Sequence, residues 1–211
     1  MHPTLANTDR KLKRGIPSSL RQCHLPAVFL MTDEARLPYP ETVLAALPRG
    51  AGVILRHYTD PDRPHIGARL SRLCRARGLR LLVGGSWQLA SQIGAHGLHL
   101  PAHMAAAGLA PAARLWLRRR KGILTVAAHS SKDLRQARKL GATAALLSPI
   151  FQTASHPDRR PLGPLRCAAM VRSKTIGVIA LGGVTAKTIN ALRGTGCQGI
   201  AGISFVSQNQ S

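Results

Sequence analysis

The residues best suited to chemistry sit where short apolar runs stop. His129 ends the run Thr125-Val-Ala-Ala and is followed by Ser130. An imidazole at such a loop mouth can give or take a proton near neutral pH. It can equally do no more than bond loop backbone. Gly182-Gly183 ends the run Ile179-Ala-Leu, and Gly202-Ile203-Ser204 ends the one that begins at Gly199. Without side chains, backbone N–H groups at Gly182 and Gly183 can approach a phosphate closely, and Ile203-Ser204 can complete the cradle. A lone Gly-Gly usually marks a turn; its place at the end of a strand gives it weight. His96, His99 and His103 tempt a metal reading. Their strand-plus-loop placement does not put them on one helix face, and no acid or cysteine accompanies them, so no metal site is expected.

The elements that must position these groups follow a steady rhythm. Apolar runs at 27–31, 52–55, 79–83, 97–100, 123–126, 144–147, 176–180 and 199–203 read as strands. Helices are expected between them at 41–47, 66–77, 87–93, 111–120, 131–140, 164–171 and 186–192. In the second of these, Ile66, Leu70 and Leu73 mark an apolar stripe among arginines, and Gly78 stands where a left-handed cap belongs. Ser130 or Ser131 is the expected N-cap of the 131–140 helix, with Asp133 near its positive end. Apolar strands alternating with helices predict a parallel sheet covered on both faces. Eight such units predict an α/β fold, a (β/α)8 TIM barrel; an open doubly wound sheet is the alternative. Only eight residues follow Ile203, so the last helix is expected to be truncated or missing. Residues 1–24 read as a basic N-terminal extension without an apolar core, unlike a secretory signal. Residues 25–211 are expected to form a single barrel domain.

Composition narrows the partners. Thirty Lys+Arg against eight Asp+Glu give a net charge of +22, which predicts incidental polyanion binding. Aromatic residues make up 3%, too few for the stacking platforms of a dedicated single-strand binder. No apolar run is long enough to cross a membrane. The four cysteines, Cys23, Cys74, Cys167 and Cys197, form no CxxC pair, and reduced thiols in a cytoplasmic protein are the simplest reading. Acids thin out along the chain. Asp9, Asp33, Glu34, Glu41, Asp60 and Asp62 lie early, and only Asp133 and Asp158 follow. A magnesium ion usually takes one or two carboxylates beside the phosphates it holds, and few are on offer.

Five ordered motifs carry a resemblance. They are Ala128-His129-Ser130, Pro149-Ile-Phe-Gln-Thr153-Ala-Ser155, Pro161-Leu-Gly163, Ala180-Leu-Gly-Gly-Val-Thr185 and Gly199-Ile-Ala-Gly-Ile-Ser204. In order and spacing they resemble the thiamin phosphate synthase and thiazole tautomerase (TenI-like) family, over about Leu79 to Val206 and more weakly from Pro26. The resemblance implies a small phosphorylated thiazole ligand held by Thr153, Ser155, Gly163, Gly182, Gly183, Ile203 and Ser204. It implies Arg56 as the one retained cation of a Gln-x-Arg-x-Lys strand.

Where synthases are implied to carry an Asn-Asp pair after strand three, this chain has Gly84-Gly85-Ser86. A carboxylate beyond strand four is replaced at His103-Met104, and a lysine by His156. Magnesium is therefore expected only if the protein is a true synthase, and otherwise no cofactor. Arg159 and Arg160 are candidate substitutes that can neutralise a phosphate. The tautomerase branch is implied to lack the same acids and to use a histidine at the strand-five position. His129 fits that branch, and so does His99-Leu100-Pro101, where synthases are implied to have Gly-Gln after the strand. The expected function is thus a thiazole-phosphate-binding barrel, tautomerase-like, with His129 as proton shuttle. The alternatives are a divergent synthase joining hydroxymethylpyrimidine diphosphate to the thiazole phosphate, or a non-catalytic ligand- or nucleic-acid-binding barrel. The fold leaves room for a homodimer.

Overall fold

The structure, a computed structural model, describes residues 25–153, 159–172 and 176–203. Its eight strands are β1 (Val28–Met31), β2 (Gly52–Leu55), β3 (Arg80–Gly84), β4 (Gly97–Leu100), β5 (Ile123–Ala128), β6 (Ala144–Leu147), β7 (Gly177–Leu181) and β8 (Gly199–Gly202). Each pairs in parallel with the next, and β1 pairs in parallel with β8. The sheet is therefore a closed barrel in sequence order, the predicted TIM-barrel arrangement, and the open-sheet alternative is excluded.

Why the strands are apolar apart from Arg80, His99 and Thr125 is visible in how their side chains divide. Phe29, Met31, Ile54, Leu82, Ala144, Leu146, Ile179 and Ala201 form one buried cluster inside the barrel. Their alternate neighbours, among them Val28, Leu30, Val53, Leu55, Val178 and Ile200, join the larger cluster between barrel and helices. With period-two alternation, a strand buried on both sides has no polar face. Phe29 is fully buried, and its ring occupies the space that a side chain on Gly52 would need. Glycine there lets a large ring plug the lower barrel. Truncating such a buried ring to alanine typically costs about 3–5 kcal/mol.

The α-helices are α1 (Arg63–Arg77), α2 (Trp87–Gln92), α3 (Ala102–Ala107), α4 (Pro111–Arg120), α5 (Ser131–Lys139) and α6 (Gly163–Arg172). On α1, Ile66, Leu70 and Cys74 face the core and Arg69, Arg72, Arg75 and Arg77 face out; Gly78 caps it at φ 66°. Two expected helices are tighter. Pro40–Ala46 and Ile189–Leu192 are 3-10 turns. In the second, Thr185 and Thr188 accept each other's backbone N–H, and the Thr188 hydroxyl donates to the Gly183 carbonyl at 2.9 Å. These local bonds compete with helical pairing and use up the first turn. Helix α3 was not foreseen. It follows Pro101 and is built from an alanine-rich stretch of high helix propensity. The N-terminal extension and any last helix lie outside the described residues. No helix among the described residues is long and apolar enough to cross a membrane.

Candidate active site at the C-terminal ends of the strands

Helix α5 fixes His129 from below. Ser130 is its N-cap, accepting the Asp133 N–H at 3.2 Å. The Asp133 carboxylate accepts the Ser130 hydroxyl and the His129 backbone N–H, each at 2.9 Å. The ring of His129 reaches across to β6. Its Nδ1 lies 2.9 Å from the Ser148 carbonyl oxygen and 3.2 Å from the Ser148 hydroxyl. A carbonyl oxygen can only accept, so Nδ1 carries the hydrogen. In the neutral ring Nε2 is then the nitrogen with the lone pair. The residue is exposed at the barrel mouth.

The segment after β6 is laced to the end of β7. Ile150 N–H donates to Leu181 O at 2.9 Å, and Phe151 N–H to Gly182 O at 3.0 Å. Gly163 N–H returns to Ile150 O at 2.9 Å, which joins the start of α6 to the same loop. Gly183, at φ 65°, lies against Gln152 O, and a Cβ there would fall 2.7 Å from the Phe151 Cβ. Thr153 is the next residue along, so Thr153, Gly163, Gly182 and Gly183 are brought together. Among the described residues, the N–H groups of Gly182 and Gly183 donate to no protein acceptor. Ile203 stands at the end of β8, beside β7. Ser155, His156 and Ser204 lie outside the described residues. Arg159 and Arg160 are exposed.

Arg56 stands on the other side of the mouth. Its N–H donates to the Thr32 hydroxyl at 2.9 Å, and its guanidinium pairs with Asp33 at 3.1 Å. Burial pushes the Asp33 carboxyl up. Hydrogen bonds from Arg36, with the charges of Arg36 and Arg56, outweigh that and hold it below its ordinary value. Inside the barrel, His99 Nδ1 lies 2.9 Å from the Thr125 hydroxyl. Burial, helped by the charge of Arg56, drives the His99 imidazole down to about 3, so it stays neutral. His96 and His103 lie elsewhere, at the start of β4 and on α3. Among the described residues no three metal-binding side chains gather.

A magnesium ion at the end of β3 does not fit the residues present. Gly84 and Gly85 offer no side-chain donor. A Cβ on Gly84 would lie 2.7 Å from the Tyr58 hydroxyl, and one on Gly85 3.1 Å from the Met104 sulfur. The space for a ligating side chain is already filled. Asp33 is paired with two arginines, and both Glu34 oxygens accept hydrogen bonds from Thr59, at 2.9 and 2.6 Å. Sequence reasoning missed three residues here. Ser148 fixes the His129 ring, and Tyr58 and Arg63 sit over the end of β3. The first contributes a backbone carbonyl, which no residue type signals.

Comparison with known proteins agrees with this layout. Residues 28–206 match the family described as thiamine monophosphate synthase. A putative thiamine-phosphate synthase 2 of Aquifex aeolicus is 30% identical over 186 residues, covering 86% of this chain and 97% of the relative. A thiamine-phosphate synthase of Chlorobium limicola is 33% identical, covering 92% and 89%. The solved thiamine phosphate pyrophosphorylase of Pyrococcus furiosus superposes with a TM-score of 0.70 at 25% identity, over 86% of each chain. A KDPGal structure, at 16% identity and TM-score 0.57, shares the fold alone. With a profile match spanning all eight strands and relatives covered almost end to end, this chain belongs to the thiamine monophosphate synthase family.

Proposed function

We propose that this barrel binds a small phosphorylated thiazole in the cytoplasm and catalyses its tautomerisation, with His129 as the proton carrier. The observation that carries the reading is the bond from His129 Nδ1–H to the Ser148 carbonyl, which leaves Nε2 free for substrate. Nε2 takes a proton from one atom of the ring system and returns it to another. Nothing else is gained or lost, so positioning and proton transfer suffice. The phosphate is assigned to the Gly182 and Gly183 N–H groups, with Thr153, Gly163 and Ile203 beside them and Arg56 adding positive potential; Ser155 and Ser204 are further contacts that the family resemblance implies.

The test is isomerisation followed by proton NMR with purified protein and the non-aromatic tautomer of the thiazole phosphate. Wild type is expected to turn over. His129→Ala is expected to lose at least about 100-fold in kcat while keeping ligand affinity. Unchanged turnover in the variant would sink the assignment. A second reading, a synthase, is favoured by the names of the relatives and by the retained Arg56. Enzyme-dependent thiamin phosphate from hydroxymethylpyrimidine diphosphate, thiazole phosphate and magnesium would establish it. Ligand binding without either turnover would leave a non-catalytic barrel.

A further inference from the structure

The end of β3 lacks metal ligands, yet it is not without positive charge. Arg63 opens α1 and folds back over the site. Its guanidinium lies 5.3 Å from the centre of the Tyr58 ring and donates to the Gly84 carbonyl. A cation over an aromatic face, tied to a strand-end carbonyl, is held in place. Among the described residues it has no carboxylate partner, since the ion pairs there join Arg36, Arg56 and Arg69. Glu34, whose charge reaches it, is committed to Thr59. Its Nε is enclosed and has no hydrogen-bond partner among the described residues. Burial pulls the Arg63 guanidinium below its ordinary value, outweighing the opposing influence of Tyr58 and Glu34. It nevertheless remains charged.

We propose that Arg63 stands in for a metal ion at the end of β3, where its guanidinium receives an oxyanion of the substrate. This rests on the catalytic end being the strand C-termini, as in the function proposed above. The oxyanion is not the phosphate assigned to the β7 and β8 loops. In a closed eight-stranded barrel β3 and β7 lie diametrically opposite, so two separate anionic groups are needed. A planar guanidinium suits either a diphosphate or a carboxylate, because both present paired oxygens to its fork. A carboxylate fits a phosphorylated thiazole that carries one on its ring as a second anionic group. A diphosphate fits the pyrimidine partner of a synthase reaction that would then run without a divalent ion at this position.

Calorimetry in the presence of EDTA tests this, with inorganic pyrophosphate and malonate as separate probes. Wild type is expected to bind one of them without metal. Arg63→Gln should weaken that binding at least tenfold, Arg63→Lys less, and added magnesium should not restore the Gln variant. Pyrophosphate binding identifies the diphosphate source, and malonate binding the carboxylate source. The proposal fails if neither anion binds without metal, if Arg63→Gln binds like wild type, or if magnesium rescues it. Should the Gln variant prove unfolded by its melting curve, Tyr58→Leu carries the same test, with an expected loss of at least threefold. Neither result depends on turnover, so failure here is distinct from failure of the tautomerase assignment.

Discussion

Acid should destabilise this protein through His99, and the size of the effect follows from its burial. In the folded barrel the imidazole titrates at about 3; in the unfolded chain it titrates near 6.5. Above the unfolded value both states are neutral and His99 adds no pH dependence. As pH falls below it, the unfolded chain takes up a proton that the barrel refuses, so stability is lost between pH 6.5 and 3. The slope approaches about 1.4 kcal/mol per pH unit. Between pH 7 and pH 5 the loss from this one group is about 2 kcal/mol, or about 4–8 °C in Tm for a chain of this size. The assay is urea or thermal unfolding of wild type and His99→Gln at both pH values. The variant will differ in absolute stability, since the bond to Thr125 changes. The informative quantity is the pH-dependent loss, which should be smaller in the variant by about 2 kcal/mol. Equal losses in the two proteins would refute the reasoning, because His99 would then be protonating in place.

Gly183→Ala should weaken binding of a phosphorylated thiazole by about tenfold or more. Its methyl collides with Gln152 O and Phe151 at a left-handed φ. Titration calorimetry checks this, and unchanged affinity would remove the phosphate from this loop. Cys74 should resist thiol reagents at pH 8 until the protein unfolds, because burial pushes its thiol up to about 12. Mass-mapped labelling would show otherwise if it reacts in the folded state. The cavity of about 340 Å³ at the opposite end of the barrel is lined by Arg75, Arg80, His96, Arg120 and Lys121, with no carboxylate. If its four permanent cations meet a single-stranded oligonucleotide, log affinity should fall with log salt at a slope of about −3. A salt-insensitive affinity measured by fluorescence anisotropy would contradict that.

The barrel was legible because its strands are short, apolar on both faces and separated by amphipathic stretches. Periodicity reports such features directly. Helix α4 falls at 111–120, as its leading proline predicts, and Ser130 is the cap its residue type predicts. The 186–192 segment was misread as a helix because two threonines exchange backbone bonds, a pairing that hydrophobic spacing does not reveal. His129 and the glycine pair were legible as loop residues after strands. The partner that sets the His129 tautomer was not, because a backbone carbonyl contributed by Ser148 leaves no trace in residue type. Likewise the loss of acids after β3 could be read from the letters, whereas the refilling of that space by Tyr58, Met104 and Arg63 could not. Tyr58 and Arg63 come from the β2–β3 connection and Met104 from the β4–β5 connection, and they meet only when those strands pair through β3.

The pairing of β1 with β8 has a consequence for synthesis. Val28 sits opposite Ile200, so the final ladder joins the beginning of the barrel to its end. While the chain emerges from the ribosome, seven strands can assemble and still leave two open edges, Val28–Met31 and Gly177–Leu181. Both are apolar and free of proline, the kind of edge that recruits strands from other chains. The dangerous interval lasts until Gly199–Gly202 has cleared the exit tunnel. A nascent chain stalled just before Gly199 is expected to bind chaperones and resist release in soluble form. One stalled well past Ile203 should escape, and equal chaperone occupancy at both lengths would show that the edges are protected in some other way.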